Sequence, residues 1–356
     1  MSYVHTLDPF ALQIYHNFGI RWYGLAYLAG FICGYFVIYY LAKKRVTPMI
    51  PDQVGDFITW VAIGTLVGGR LGYCLFYSPD LFTSFNGAFP YWGVLRVNEG
   101  GMASHGGMIG VALACYLYGR KHHIPVLHEL DMVVFGGSLG IFFGRIANYI
   151  NGELYGRPAP DGFFWIVKFP QEMYTWGIHS LERLRQLVAA VGHLKPPVSE
   201  DTWLGWIQNY GVDQSARAAV ENTVNQLVLA TQSGNEAVIQ ALSLVLTPRY
   251  PSQLFQAVME GLMVFLILVW IWRKPQKIGV ISGWFGVLYS IARIIGEQFR
   301  LPDIQIGYQL WGLTRGQWLS IALLIVAIVY LVYAYRRPSP KVGGWKTGLP
   351  LEGDVH

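Results

Sequence analysis

The chain has 356 residues, 53% of them hydrophobic and only 13% charged, whereas a soluble domain carries about a quarter charged residues; the deficit excludes an ordinary soluble globular protein and makes lipid the expected solvent. The formal net charge of +5 does not point to nucleic acid, because the cations sit in groups at the ends of apolar runs and form no basic stripe. Cys33, Cys74 and Cys115 are odd in number and fall inside apolar runs, where thiols serve as small packing groups.

A bilayer core about 30 Å thick takes roughly 20 apolar residues per helical crossing. Seven such runs follow one another: Trp22 to Leu41, Phe57 to Tyr77, Met102 to Tyr118, Leu130 to Ile150, Gln253 to Trp272, Val280 to Arg300 and Trp318 to Tyr335. None alternates in polarity as the strands of a membrane barrel do. The expected fold class is therefore an all-α polytopic membrane protein of about seven transmembrane helices. The opening MSYVHTLDPF lacks the basic region and small-residue cleavage site of a removable leader, so the first run is expected to remain. Lys43, Lys44 and Arg45 follow the first run, Arg120 and Lys121 the third, Arg273, Lys274 and Lys277 the fifth, and Arg336, Arg337 and Lys341 the seventh. Basic clusters in short loops stay cytoplasmic, which predicts the amino terminus outside and the carboxyl terminus inside.

The runs divide the chain into helices one to four over 1–150, an extracytoplasmic head over 151–251, helices five to seven over 252–337, and a cytoplasmic tail over 338–356 expected to be disordered. In the head, PAPDGFFWIVKFPQEMY reads as short strands or loops. Leu181, Leu184, Leu187, Val188 and Val191 recur at helical spacing, and a further helical run extends from Ala216 to Leu246. The head serves either as a structural lid or as a surface that receives a protein substrate. No internal repeat supports an inverted-repeat transporter.

An arginine at the centre of a membrane helix costs about 2.5–3.5 kcal/mol on insertion scales, so each one is a functional candidate. Arg70, Arg145 and Arg293 stand on the second, fourth and sixth runs. At about 1.5 Å per residue all three come out at one depth in the outer half of the core, with His105, at the start of the descending third run, near the same level. Guanidinium groups keep their charge when buried and offer forked donors to phosphate oxygens, so the group points to an anionic ligand, most simply an outer-leaflet phospholipid headgroup. Glu297 lies one turn beyond Arg293 and is placed to pair with it, whereas Glu129 and Asp131 fall near the inner end. In Ser104-His105-Gly106-Gly107, Ser104 is a candidate helix cap, the glycines would admit a ligand to the backbone, and His105 is a possible base. Arg145, Asn148 and Asn151 recur every three residues on one helical face, Gly152 can end that helix, and Glu153 and Gly156 occupy the turn that follows. Plainer readings stand beside these. Arg70 is equally suited to brace helices, Arg300 to snorkel at the outer interface, Tyr23, Tyr77 and Tyr289 to an aromatic belt, and the glycines of GTLVGGRLG and FGGSLG to close helix packing.

The pieces RWYGLAY, GGRLGYCLFY, GGMASHGGMIG, GRIANYINGELYGRP, YPSQLFQAVMEG and IARIIGEQFRLPD resemble, in order and across the first six runs, the bacterial prolipoprotein diacylglyceryl transferase family. The resemblance implies an enzyme of the bacterial cytoplasmic (inner) membrane that attaches the diacylglyceryl group of phosphatidylglycerol to the lipobox cysteine of prolipoprotein signal peptides. It implies no cofactor and no metal. Carried over by position, Arg145 and Arg293 look like binders of the headgroup phosphate and His105 like the candidate base. Tyr23, Asn148, Asn151, Glu153, Gly156, Tyr289, Glu297 and Arg300 look like supporting substrate-binding residues, and Arg70, by its depth alone, is read as a further substrate-binding candidate. The external stretch from about Pro170 to Tyr250 is longer than the family leads one to expect. A lipid flippase, or a lipid-binding membrane protein without chemistry, would also place arginines at one depth.

Overall fold

In a computed structural model the described residues are 3–15, 18–87, 90–97, 100–160, 162–302 and 307–345. They are mostly helical, and their strands form only two-stranded pairs. The chain divides into two compact units, one of Met1–Ala26, Gly144–Val258 and Arg293–Trp318, the other of Tyr27–Phe143, Met259–Ala292 and Leu319–His356.

Each expected run is a helix: α1 Trp22–Lys43, α2 Pro51–Phe76, α3 Ser104–His122 and α4 Val126–Ile150 before the head, then Ser252–Trp272, Val280–Gly296 and Arg315–Arg336 after it. Five of them, α1, α2, α4, Ser252–Trp272 and Arg315–Arg336, are long and apolar enough to cross a membrane. The other two fall short for different reasons. Helix α3 has 19 residues but carries Ser104, His105 and four glycines and ends on Arg120, Lys121 and His122. Val280–Gly296 has only 17 residues, because it stops at Gly296 and leaves Arg300 beyond the helix, not within it as the apolar run suggested.

In the second unit the helices meet along glycines. A Cβ placed on Gly30 would stand 2.9 Å from the Cα of Gly140, and one on Gly34 would stand 3.1 Å from the Cα of Gly136, so α1 and α4 touch backbone to backbone. Helices α2 and α3 are seated closer still, Gly68 against the carbonyl of Gly106 and Gly110 against that of Gly64. Small residues at four-residue spacing permit this approach, and in lipid the close contact itself drives association. Most of the glycines of GTLVGGRLG and FGGSLG thus serve packing. Gly106 does too: the backbone it exposes is covered by α2, which corrects its reading as an opening for a ligand. Around the seams Phe57, Tyr118, Phe135, Met132, Leu268 and Trp272 form a core. Asp131 accepts from the N–H of Gly279 and of Ser282, each at 2.7 Å, and from the Ser282 hydroxyl at 2.7 Å; it caps the start of Val280–Gly296, as a carboxylate does at a helix amino terminus.

The tail departs from its expected disorder. Lys341–Val342 pairs antiparallel with Gln276–Lys277, the Gly343 N–H donates to the carbonyl of Val46 at 2.9 Å, and that of Gly344 to Trp272 at 2.9 Å. Val342 joins the core at 3% exposure, which supplies the burial that anchors the strand. The tail beyond 345 lies outside the described residues.

In the first unit the head has a core of its own, built on Trp176, Leu184, Leu187, Trp203, Leu227, Val238 and Leu242. The Pro/Gly-broken segment forms, in part, strand Val167–Lys168, parallel to Tyr3–Val4, followed by a 3-10 turn Pro170–Thr175. The helical spacing of Leu181 to Val191 yields two short helices, Leu181–Arg185 and Val188–Gly192. The run from Ala216 to Leu246 is likewise broken, into Gln214–Gln232 and Glu236–Val245, by Gly234 at φ +77° and by Asn235, whose side chain caps the second helix.

Candidate active site

The first unit assembles most of the expected site around the turn that follows α4. Gly152, at φ +67°, lets the chain leave the helix in the left-handed region. Behind it Arg145 and Asn148 stand on the last turns of α4, Arg145 half-buried. Asn148 donates to the hydroxyl of Tyr23, and that hydroxyl donates at 2.8 Å to the carboxylate of Glu153. Asn151 reaches the other Glu153 oxygen at 3.5 Å. Tyr23 is therefore part of a polar relay and more than a belt aromatic.

The turn is then stitched to the start of the fifth run. Gln253 donates to the Glu153 carbonyl at 2.6 Å, Ser252 to that of Leu154 at 3.1 Å, and the Gly156 N–H to Tyr250 at 3.2 Å. Gly156 is sterically compelled: a Cβ there would strike the carbonyl of Tyr250 and stand 2.9 Å from that of Phe299. In this geometry it lets two backbones approach.

Glu297 is the hub of the second cluster. Buried to 3% exposure, it pairs with Arg293 at 2.7 Å and with Arg300 at 3.3 Å, and accepts from Thr314 at 2.9 Å. Arg157 joins through the carbonyls of Arg300 at 2.9 Å and Glu297 at 3.2 Å. Arg300 is thus held by an ion pair and does not simply snorkel. Within this unit stand the guanidinium groups of Arg145, Arg157, Arg293 and Arg300, and guanidinium groups offer forked donors suited to an anion.

Sequence reasoning missed a second buried carboxylate. Glu172, 1% exposed, pairs with Arg249 at 2.6 Å and Arg183 at 3.2 Å. It also accepts from the Thr247 N–H at 2.9 Å and the Thr247 hydroxyl at 3.0 Å. Arg249 donates onward to the Gly156 carbonyl at 3.0 Å and covers the ring of Tyr155. Burial pushes the Tyr155 phenol above its ordinary range, and the Arg249 guanidinium opposes that. The head is tied through this node to the turn at Gly156. Arg157 was legible, since it sits in the quoted NGELYGRP motif; Glu172 and Arg249 lie 77 residues apart and carry no local signal.

Arg70, His105 and Tyr289 belong to the second unit. Arg70, 6% exposed, spends its donors on backbone: Nε on Val94 at 2.7 Å, Nη2 on Gly93 at 2.8 Å, and Nη1 on Gly100 and Gly101 at 2.7 and 3.0 Å. It braces the loop between α2 and α3, the plainer of the two roles its sequence left open. Tyr289 stacks on Phe285. His105 is exposed on the first turn of α3. The cap of that helix is Ala103, with no side-chain bond, and Ser104 is already helical, so the expected serine cap is absent.

A sequence profile described as prolipoprotein diacylglyceryl transferase matches residues 9–333. The chain belongs to this family. A phosphatidylglycerol–prolipoprotein diacylglyceryl transferase of Bdellovibrio bacteriovorus is 51% identical over 349 residues, 98% of this chain and 99% of that one. Proteins of the same name from Rhodospirillum centenum and Idiomarina loihiensis are 35% and 32% identical over 95% and 93% of this chain, and 97% and 95% of their own lengths. Matches of this extent run through the long stretch from Pro170 to Tyr250 as well as the motifs.

Proposed function

We propose that this chain, a prolipoprotein diacylglyceryl transferase by family, takes the diacylglyceryl group from phosphatidylglycerol and places it on the thiol of the lipobox cysteine of a prolipoprotein. The bond formed is a thioether between the cysteine sulfur and the glyceryl carbon; the bond broken joins that carbon to the phosphate oxygen, and glycerol phosphate departs. The observation that carries the reading is the grouping of Arg157, Arg293 and Arg300 about the buried Glu297, in the same unit as Arg145 and the Glu153 turn. A phosphate leaving group gains charge in the transition state, so cations already fixed in a water-poor site stabilise it more than the substrate. Arg293 is held for this by Glu297, and Arg145 stands on the helical face that leads to Asn148. The thiol, with a pKa of about 8.5 when free, has to lose its proton to become the nucleophile; His105 is the candidate base, and the cationic field of the arginines is the other means of favouring the thiolate.

The seven helices are read as seven crossings of the bacterial inner membrane, amino terminus outside and carboxyl terminus inside, with the head beyond the outer face. The supporting observation is that the basic clusters after the fifth and seventh runs are linked by the Gln276–Lys277 and Lys341–Val342 pair, whose chain continues to Val46 beside the first cluster. Transfer of labelled diacylglycerol from phosphatidylglycerol to a lipobox peptide by the purified protein tests the function. Wild type is expected to label the cysteine peptide and not its serine counterpart, and Arg293→Ala to lose at least 100-fold, the order found when a donor to a developing charge is removed. A well-folded wild type without transfer overturns the proposal and favours a lipid transporter.

A further inference from the structure

The arginines account for a phosphate, but every glycerophospholipid has one. Around the Glu153 turn a different kind of group collects. Asn151 Oδ1, Gln253 Oε1 and both amide atoms of Gln256 are buried with no hydrogen-bond partner among the described residues. Gln253 and Gln256 are both at 0% exposure. An unpaired buried amide atom is costly, so several in one neighbourhood imply a polar ligand. The placement is specific. Asn151 and Gln253 both bond to Glu153, through its side chain and its carbonyl. Gln256 follows Gln253 by three residues on the same helical face, and Asn151 shares its own face with Asn148 and Arg145.

Amide oxygens accept and do not donate, as phosphate oxygens do, so they cannot serve the phosphate itself. They suit a neighbouring part of the ligand that carries hydroxyl donors, and the Gln256 NH2 suits a hydroxyl oxygen. We propose that Asn151, Gln253 and Gln256 form a subsite for the hydroxyls of the headgroup glycerol, through which the enzyme selects phosphatidylglycerol over acidic phospholipids whose headgroup has no hydroxyl. The inference rests on the lipid substrate proposed above.

The test is lipid retention by the purified full chain in nanodiscs holding equal amounts of phosphatidylglycerol and phosphatidylmethanol with the same acyl chains, read by native mass spectrometry. Wild type is expected to retain phosphatidylglycerol in clear excess. Gln256→Leu, or Gln256→Met if the first variant folds poorly, should lower that ratio about tenfold, the equivalent of one or two hydrogen bonds, while total acidic lipid retained stays constant. A wild type without preference, a variant with the wild-type ratio, or a variant that loses both lipids alike overturns the subsite. So does a variant that keeps the ratio but raises KM for the lipobox peptide, which would assign the amides to the preprotein. Transfer is assayed on the same samples: a wild type that selects phosphatidylglycerol but transfers nothing overturns the function and not the subsite, and one that transfers without selecting does the reverse.

Discussion

At the scale of single residues, the first unit buries two carboxylates, each as the hub of a guanidinium cluster, and the two hubs are of unlike purpose. Glu297 gathers Arg293 and Arg300 beside the candidate site, whereas Glu172 gathers Arg183 and Arg249 inside the head. Removing one partner of a buried pair leaves uncompensated charge, which costs about 3–5 kcal/mol. Glu172→Ala, which strands Arg249 at 8% exposure, is therefore expected to destabilise by that amount and to lower the midpoint of thermal unfolding. The turn at Gly156, which Arg249 holds by its carbonyl, should loosen in the same variant and activity should fall with it. An unchanged unfolding midpoint would show that the hub is solvated and holds nothing. Arg70 illustrates why residue type alone misleads: a buried arginine with no carboxylate near in sequence signals an anion, but backbone carbonyls also satisfy a guanidinium, and these come from residues 23 to 31 positions away.

At the scale of elements, the helices are joined by glycine seams, and the seam between α2 and α3 passes directly beneath His105. A methyl group on Gly106 would strike the Gly68 carbonyl, and only a separation of the two helices can relieve that. On Gly107, next along the chain, the nearest atom to an added Cβ is 3.5 Å away, which is ordinary contact. Gly106→Ala is thus expected to cost about 1–3 kcal/mol, as overpacking does, and to shift His105 and reduce transfer; Gly107→Ala should be close to neutral. Chemical denaturation of both variants in the same detergent reads the difference, and equal stability would contradict the seam. The head shows the opposite economy. It coheres through a core of tryptophans, leucines and valines as a soluble domain does.

For the whole molecule, a buried histidine outside the long apolar helices makes stability depend on pH. His5 is at 0% exposure, its ring against Tyr149 and Phe169, and burial lowers its pKa from 6.5 to about 4. The unfolded chain binds the proton more readily than the folded one between those values, so the contribution is complete above pH 6.5 and is lost as pH falls toward 4. At about 1.4 kcal/mol per unit the loss is about 3 kcal/mol. Thermal unfolding from pH 8 to 4.5, compared between wild type and His5→Phe, checks it: the wild type should lose more across that window, and parallel profiles would show the ring to be solvated.

Much of this protein was determined by the sequence alone. Apolar runs at bilayer length located all seven helices to within a few residues, except where the runs Phe57 to Tyr77 and Leu130 to Ile150 begin late and Val280 to Arg300 ends late. Arg145, Asn148 and Asn151 were legible as one face because helical periodicity is local. The pairing of Glu297 with Arg293 was legible because four residues make one turn. The tertiary structure decided what depends on distant backbone: that Arg70 is satisfied by carbonyls, that Gly106 and Gly156 are closed by neighbouring chain, that Val342 draws the start of the tail into the core, and that Glu172 and Arg249 meet. Periodicity reports which residues share a surface, since that follows from bond geometry within an element. What covers the surface depends on how elements pack, and that information is spread over the whole chain.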